Sequence, residues 1–159
     1  MQDSKERWRL VSKGAEATLY LGYFFGLPAI KKVRHPKRYR DPKLDHRLRF
    51  LRTRREARLL VAAKMAGIPV PFVYDVDLVN CSIVMEFIDG ILLRDYVVSL
   101  ESSGNLETAR QIFKRLGNIL ARLHENHILH GDFTTSNVIV GKNLTLFIIE
   151  SSFSPLSII

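Results

Sequence analysis

His130-Gly131-Asp132-Phe133-Thr134-Thr135-Ser136-Asn137 sets an acid and an amide five residues apart on a short polar stretch. An acid such as Asp132 accepts the proton of an incoming hydroxyl, while an amide oxygen such as that of Asn137 holds a magnesium ion. This is the division of labour that phosphoryl transfer uses. A loop suits the pair, because it lets two short side chains converge where a straight strand would splay them. Taken without other parts, Asp132 reads equally as an Asx-turn former and Asn137 as the start of a strand.

The other parts of such a site occur in chain order. A lysine must grip the α- and β-phosphates, and Lys31-Lys32 ends the apolar stretch after Pro28-Ala29-Ile30; either lysine fits. A carboxylate must hold that lysine, and Glu56 lies in RREARLL within the next helical pattern. Taken singly, each reads as solvated surface charge. Ile83-Val84-Met85 runs into Glu86-Phe87-Ile88, whose backbone groups could meet an adenine edge. Ser12-Lys13-Gly14-Ala15-Glu16-Ala17 precedes the first strand pair and could fold over phosphates, although with Gly14 alone it is a weak glycine loop.

These residues need elements to position them. Leu19–Phe25 and Pro28–Val33, split at Gly26, predict a β-hairpin. Leu44, Leu48, Leu51, Leu59, Leu60 and Ala63 recur at helical spacing and predict a helix over 44–66, stopped by Gly67 and followed by Pro69 and Pro71. Phe72–Leu78 and Cys81–Phe87 predict a second strand pair turning near Asn80. A short helix over 92–100 and a polar linker over 102–105 follow, with Asn105 placed to cap the next helix. That helix, 106–125, carries Ile112, Leu116, Ile119, Leu120 and Leu123 on one stripe. An apolar strand over 143–149 comes after the HGDFTTSN loop. The order predicts an α+β chain with a sheet-rich front and a helical back, meeting near 86–90.

Composition narrows the partners. The 159 residues are 47% hydrophobic and 25% charged, which excludes a disordered or fibrous chain. Of the 24 lysines and arginines, twelve fall between Lys31 and Arg55 against two acids there, so the rest of the +8 chain is slightly acidic. Such a density calls for an anionic partner, a phosphate-bearing ligand or RNA. Only Tyr39 and Phe50 interleave with it, which favours phosphate contact over base stacking. One cysteine excludes a disulfide framework and a Cys-based zinc site. A polar N-terminus and the absence of a long apolar run predict a soluble intracellular protein with no membrane association.

With these motifs in order, the chain resembles the protein-kinase superfamily. It is most similar there to the small atypical kinase/ATPase subunits of the KEOPS complex, the p53-related protein kinase family. GAEA (14–17), PKRYRDPKLD (36–45), RREA (54–57), MEFIDG (85–90) and HGDFTTSN (130–137) carry the resemblance, which covers roughly 12–147. It implies a protein-kinase-like two-lobed α+β fold, with a sheet-rich N-lobe over 1–88 and an incomplete helical C-lobe over 89–159. It implies ATP and magnesium (Mg2+) as cofactors and a serine/threonine protein kinase or ATPase that supports threonylcarbamoyl-adenosine formation in tRNA. Other KEOPS subunits, chiefly the sugar-kinase-fold catalytic subunit, and tRNA through segment 31–55 are the implied partners, in the cytoplasm.

Residue by residue, the resemblance makes Asp132 the catalytic base, Asn137 a magnesium ligand, Lys32 (alternatively Lys31) the phosphate-gripping lysine and Glu56 its ion-pair partner. Gly14, Ala15 and Glu16 would cover the phosphates; Met85, Glu86 and Ile88 would meet adenine. The family's Asp-Phe-Gly motif is replaced by Glu150-Ser151-Ser152-Phe153, where Glu150 keeps a carboxylate one methylene longer as the second metal ligand and the glycine is missing. Magnesium demands near-ideal octahedral geometry, so this change bears on activity. Two other readings follow. One is a catalytically impaired, kinase-like tRNA-binding scaffold. The other is a small-molecule kinase, which predicts an acidic insertion that this basic chain lacks.

Overall fold

The structure, a computed structural model, describes residues 8–129, 133–149 and 154–155. The chain divides into two compact units, Met1–Arg58 with Phe72–Phe87 and Leu59–Pro71 with Ile88–Ile159. One break between the units falls at Phe87/Ile88, and the last turns of the first long helix and the segment after it, Leu59–Pro71, also group with the second unit.

The first unit is built on a five-stranded antiparallel sheet in the order β1-β2-β3-β5-β4, from β1 (Arg9–Lys13), β2 (Ala17–Phe24), β3 (Leu27–Arg34), β4 (Val73–Asp77) and β5 (Ser82–Glu86). β2 and β3 pair from Ala17↔Arg34 to Phe24↔Leu27. Phe25 and Gly26, with φ of 48° and 80°, make the two-residue turn; consecutive positive φ values match the right-handed twist of the flanking strands. The β4–β5 turn is held by Asp77, whose carboxylate accepts from the Asn80 backbone N–H at 2.9 Å and side-chain amide at 2.6 Å. Those donors hold the Asp77 carboxyl below its usual range. Cys81, fully buried with φ 54°, closes that turn. β1 is a strand that the sequence reading missed. Every residue of RLVSK is exposed on the sheet edge, so no apolar alternation marks it.

Helix α1 (Pro42–Met65) starts at a side-chain cap. Asp41 Oδ1 accepts from the N–H of Lys43 at 3.1 Å and of Leu44 at 3.0 Å, and Pro42 occupies the first helical position, where its missing N–H costs nothing. The expected apolar stripe is corrected before Ala57. Leu44 and Leu51 are exposed, and the buried face is polar, with Asp45, Thr53 and Glu56 all at 3% exposure or less. The reason is charge pairing with β3 and the loop after it, described below. Within the same unit Ala57 packs with Ile83 and Met85, flanked by Ile30, Val73 and Val76.

In the second unit, α2 (Leu93–Ser103) ends at Gly104 with φ 69° and runs on through the predicted linker residues Ser102 and Ser103. α3 (Leu106–Glu125) begins at Asn105, whose Oδ1 accepts from Thr108 N–H at 3.2 Å. It buries Ile112, Leu116, Ile119 and Leu123, with Leu120 only half-buried. β6 (Ile91–Leu92), β8 (Val138–Val140) and β9 (Leu146–Ile148) form an antiparallel sheet in the order β6-β8-β9, and β7 (Ile128–Leu129) pairs with β10 (Ser154–Pro155). The strand expected over 143–149 is shorter. Lys142–Leu144 forms a 3-10 turn with positive φ at Asn143 and Leu144, pinned by Arg115 Nη1 donating to both carbonyls. Gly90 is obligatory beside this sheet, since a Cβ there would lie 2.4 Å from the Val140 carbonyl oxygen. No helix among the described residues is long and apolar enough to cross a membrane.

Candidate functional site

Alternation along β3 separates the two candidate lysines, because successive side chains of a strand face opposite sides. Lys31 Nζ lies 5.8 Å above the Trp8 ring. Lys32, in the middle of the sheet opposite Leu19 and Ile83, is buried and places Nζ 2.8 Å from Glu56 Oε1. Glu56 reaches it from the polar face of α1, so the lysine that meets the carboxylate is Lys32.

The same carboxylate has a second partner. Arg34, two residues on and therefore on the same strand face, places Nη2 2.6 Å from Glu56 Oε2. Its Nη1 is 3.9 Å from Glu16 Oε2, and Glu16 also pairs with Arg52 of α1. The 14–17 loop joining β1 to β2 is thus tied to α1. It is also tied to the segment after β3, where Lys37 Nζ donates to the Ala15 carbonyl. Gly14 N–H closes the loop on the Ala17 carbonyl at 2.9 Å. Burial raises the Glu16 carboxyl, but the hydrogen bond and charge of Arg52, with Lys37 and Arg34, outweigh it and leave Glu16 below its ordinary range. One layer further out, the Arg49 hydrogen bond lowers Asp45 against the opposing effect of burial; the Lys37 N–H and the Arg40 charge add to it. Sequence reasoning missed Arg34, although the period of two along β3 could have found it.

Of the residues expected to meet a base, Met85 is packed in the core with Ala57 and Ile83. Glu86 is engaged through its backbone N–H with the Phe72 carbonyl at 2.8 Å, and its side chain accepts from Phe72 N–H at 3.1 Å. Its N–H is therefore not a donor for a ligand. Ile88 is buried and begins the second unit's second segment. In that unit Asn137 ends a 3-10 turn, Thr135–Asn137, and is buried; its N–H donates to Thr134 O and its carbonyl accepts from Ile149 N–H, each at 3.0 Å. Asp132 and Glu150 lie outside the described residues. Among the described residues no three His, Cys, Asp or Glu side chains gather as a metal site.

The basic segment is partly consumed internally. Lys32, Arg34, Arg40, Arg49 and Arg52 make ion pairs. Lys43, Arg47 and Arg54 are exposed on one helical face of α1, continued by Arg58.

Chemically, the buried Lys32 ammonium and the partly buried Arg34 guanidinium suit a phosphate, and the Asn137 amide is an oxygen donor suited to a hard cation. Residues 29–154 match the RIO domain. The chain is 41% identical over 146 residues to the KEOPS complex subunit Bud32 of Pyrococcus abyssi, covering 88% of this chain and 64% of that protein. It is 40% identical over 148 residues to a probable bifunctional tRNA threonylcarbamoyladenosine biosynthesis protein of Methanocaldococcus jannaschii, covering 93% of this chain and 26% of that one. The chain therefore spans less than two thirds of each of these relatives. The Rio2 kinase of Chaetomium thermophilum, solved as an ADP/Mg2+-phosphoaspartate complex, superposes with a TM-score of 0.72 at 19% identity, over 94% of this chain and 49% of that one, and shows the α+β kinase-like fold. By the match over most of its length, the chain belongs to the RIO domain family.

Proposed function

We propose that the chain is an ATP-dependent serine/threonine kinase or ATPase subunit of the KEOPS type, supporting threonylcarbamoyl-adenosine modification of tRNA. The observation that carries this reading is the buried Lys32–Glu56 pair at 2.8 Å, a cation fixed by a carboxylate from another element. Lys32 grips the α- and β-phosphates, Glu56 aims it, and Gly14, Ala15 and Glu16 cover them. The Glu86 carbonyl and the Ile88 N–H meet the adenine edge, with Met85 behind the ring. Asn137 and Glu150 hold magnesium, which neutralises phosphate charge when bound. Asp132 accepts the proton of the attacking hydroxyl or water.

The name of the Pyrococcus abyssi relative, a KEOPS complex subunit, supports other KEOPS subunits as partners; the proposal extends this to the sugar-kinase-fold catalytic subunit and to action in the cytoplasm. The exposed residues Lys43, Arg47 and Arg54 are the part of the basic segment that suits tRNA phosphates, and Arg58 extends their stripe beyond it. ATP turnover by the full chain with its partners tests the reading: Asp132→Ala should lower it about 100-fold or more. Turnover unchanged by that substitution would make the catalytic assignment wrong.

A second reading, a kinase-shaped tRNA-binding scaffold, is favoured by Glu150-Ser151-Ser152 at the metal motif. Nucleotide titration with and without magnesium separates the two, since the scaffold has no metal-dependent affinity.

A further inference from the structure

We infer that Arg34 is a positioning residue for the phosphate-gripping lysine, acting through the carboxylate the two share; this rests on the nucleotide reading above. Glu56 has two oxygens, and each is taken by a different cation: Oε1 by Lys32 at 2.8 Å and Oε2 by Arg34 at 2.6 Å. The Glu56 side chain is 2% exposed and that of Arg34 12%, so neither charge is relieved by bulk water. A carboxylate clamped from both sides cannot rotate about its terminal bond, which fixes the direction from which Oε1 meets the lysine. A carboxylate divided between two cations also holds each less tightly than one facing a single partner. Lys32 is thereby aimed by Glu56 without being fully neutralised by it.

Arg34 is itself held at the backbone. Its N–H donates to the Cys81 carbonyl at 3.1 Å, and its carbonyl accepts from Arg49 Nη1 at 3.4 Å. Arg49 is in turn fixed by Asp45 at 2.7 Å. The guanidinium therefore projects from a strand end that two neighbouring elements immobilise. Through Glu16, 3.9 Å away and paired with Arg52, the 14–17 loop is joined to the same chain of charges. Without Arg34, the second oxygen of a buried carboxylate loses its charged donor, and Glu56 turns wholly onto Lys32.

The test is a competition titration of ATP and of adenosine against the full chain, comparing wild type, Arg34→Met, Arg34→Lys and Lys32→Met. Arg34→Met should weaken ATP about tenfold, the size of a lost charged hydrogen bond, and leave adenosine unchanged. Arg34→Lys, which keeps a cation on the Glu56 side, should recover part of that loss. ATP affinity unchanged in Arg34→Met, or ATP and adenosine weakened together, overturns the inference; so does Arg34→Lys no better than Arg34→Met. Should Arg34→Met not fold, Arg34→Gln, which also removes the charge, takes its place: a selective loss of ATP affinity supports the role and wild-type affinity overturns it. If Lys32→Met also binds ATP as wild type does, the nucleotide reading fails with it. If Lys32→Met abolishes ATP binding while Arg34→Met does not weaken it, only the role of Arg34 fails.

Discussion

Thr53 stands one turn before Glu56 on the buried face of α1, 1% exposed, and its hydroxyl has no hydrogen-bond partner among the described residues. A buried hydroxyl left unpaired costs about 1–3 kcal/mol of desolvation, and valine has nearly the same shape without it. Thr53→Val should therefore raise the free energy of unfolding by about 1 kcal/mol in a denaturant titration; an equal or lower value would mean that the hydroxyl is satisfied in solution. At this scale the sequence was informative about residue types and less so about geometry. Motif order nominated Lys31, Lys32 and Glu56, and the period of two along β3 then separates the lysines. Arg34 escaped notice because it was counted into a run of twelve cations, whose total hides which members face inward. Asp132 and Glu150, both expected in the site, lie outside the described residues.

At the scale of elements, legibility followed the chemistry of the buried face. α3 was readable to its ends because Ile112, Leu116, Ile119 and Leu123 repeat at helical spacing behind a capping asparagine. α1 was readable as a helix but not in its orientation, because before Ala57 it buries Asp45 and Glu56 and turns Leu44 and Leu51 outward. Hydrophobic periodicity has no signal for a face that is held by ion pairs. β1 was invisible for the related reason that all five of its residues are exposed. The cap offers a direct check: Asn105→Ala removes the acceptor of Thr108 N–H and should destabilise the chain by about 1 kcal/mol, read as a lower denaturant midpoint with unchanged slope.

For the whole molecule, charge connects sequence to stability. Glu16 and Asp45 both titrate lower in the folded chain than their ordinary values of 4.5 and 3.8. Above those values both the folded and unfolded chains are ionised, and the full stabilisation from the arginine partners is present. As pH falls below them the unfolded chain takes up protons first, and that contribution is lost through the folded values. Thermal unfolding should thus be insensitive to these groups at neutral pH and drop from about pH 4.5 downward; Glu16→Gln should flatten that drop. A wild-type profile with no acid limb would show that these pairs contribute nothing. The run of twelve cations, legible at once, overstates the local field outside the protein, since five of them pair with the three carboxylates of Glu16, Asp45 and Glu56.

Cys81 carries one more consequence. It is the chain's sole thiol, sealed at a tight bend between two strands of the first unit, with none of its surface open to solvent. A maleimide or disulfide reagent therefore reaches sulfur only when that bend comes apart. The labelling rate becomes a clock for local opening, recorded at a single atom in unmodified protein.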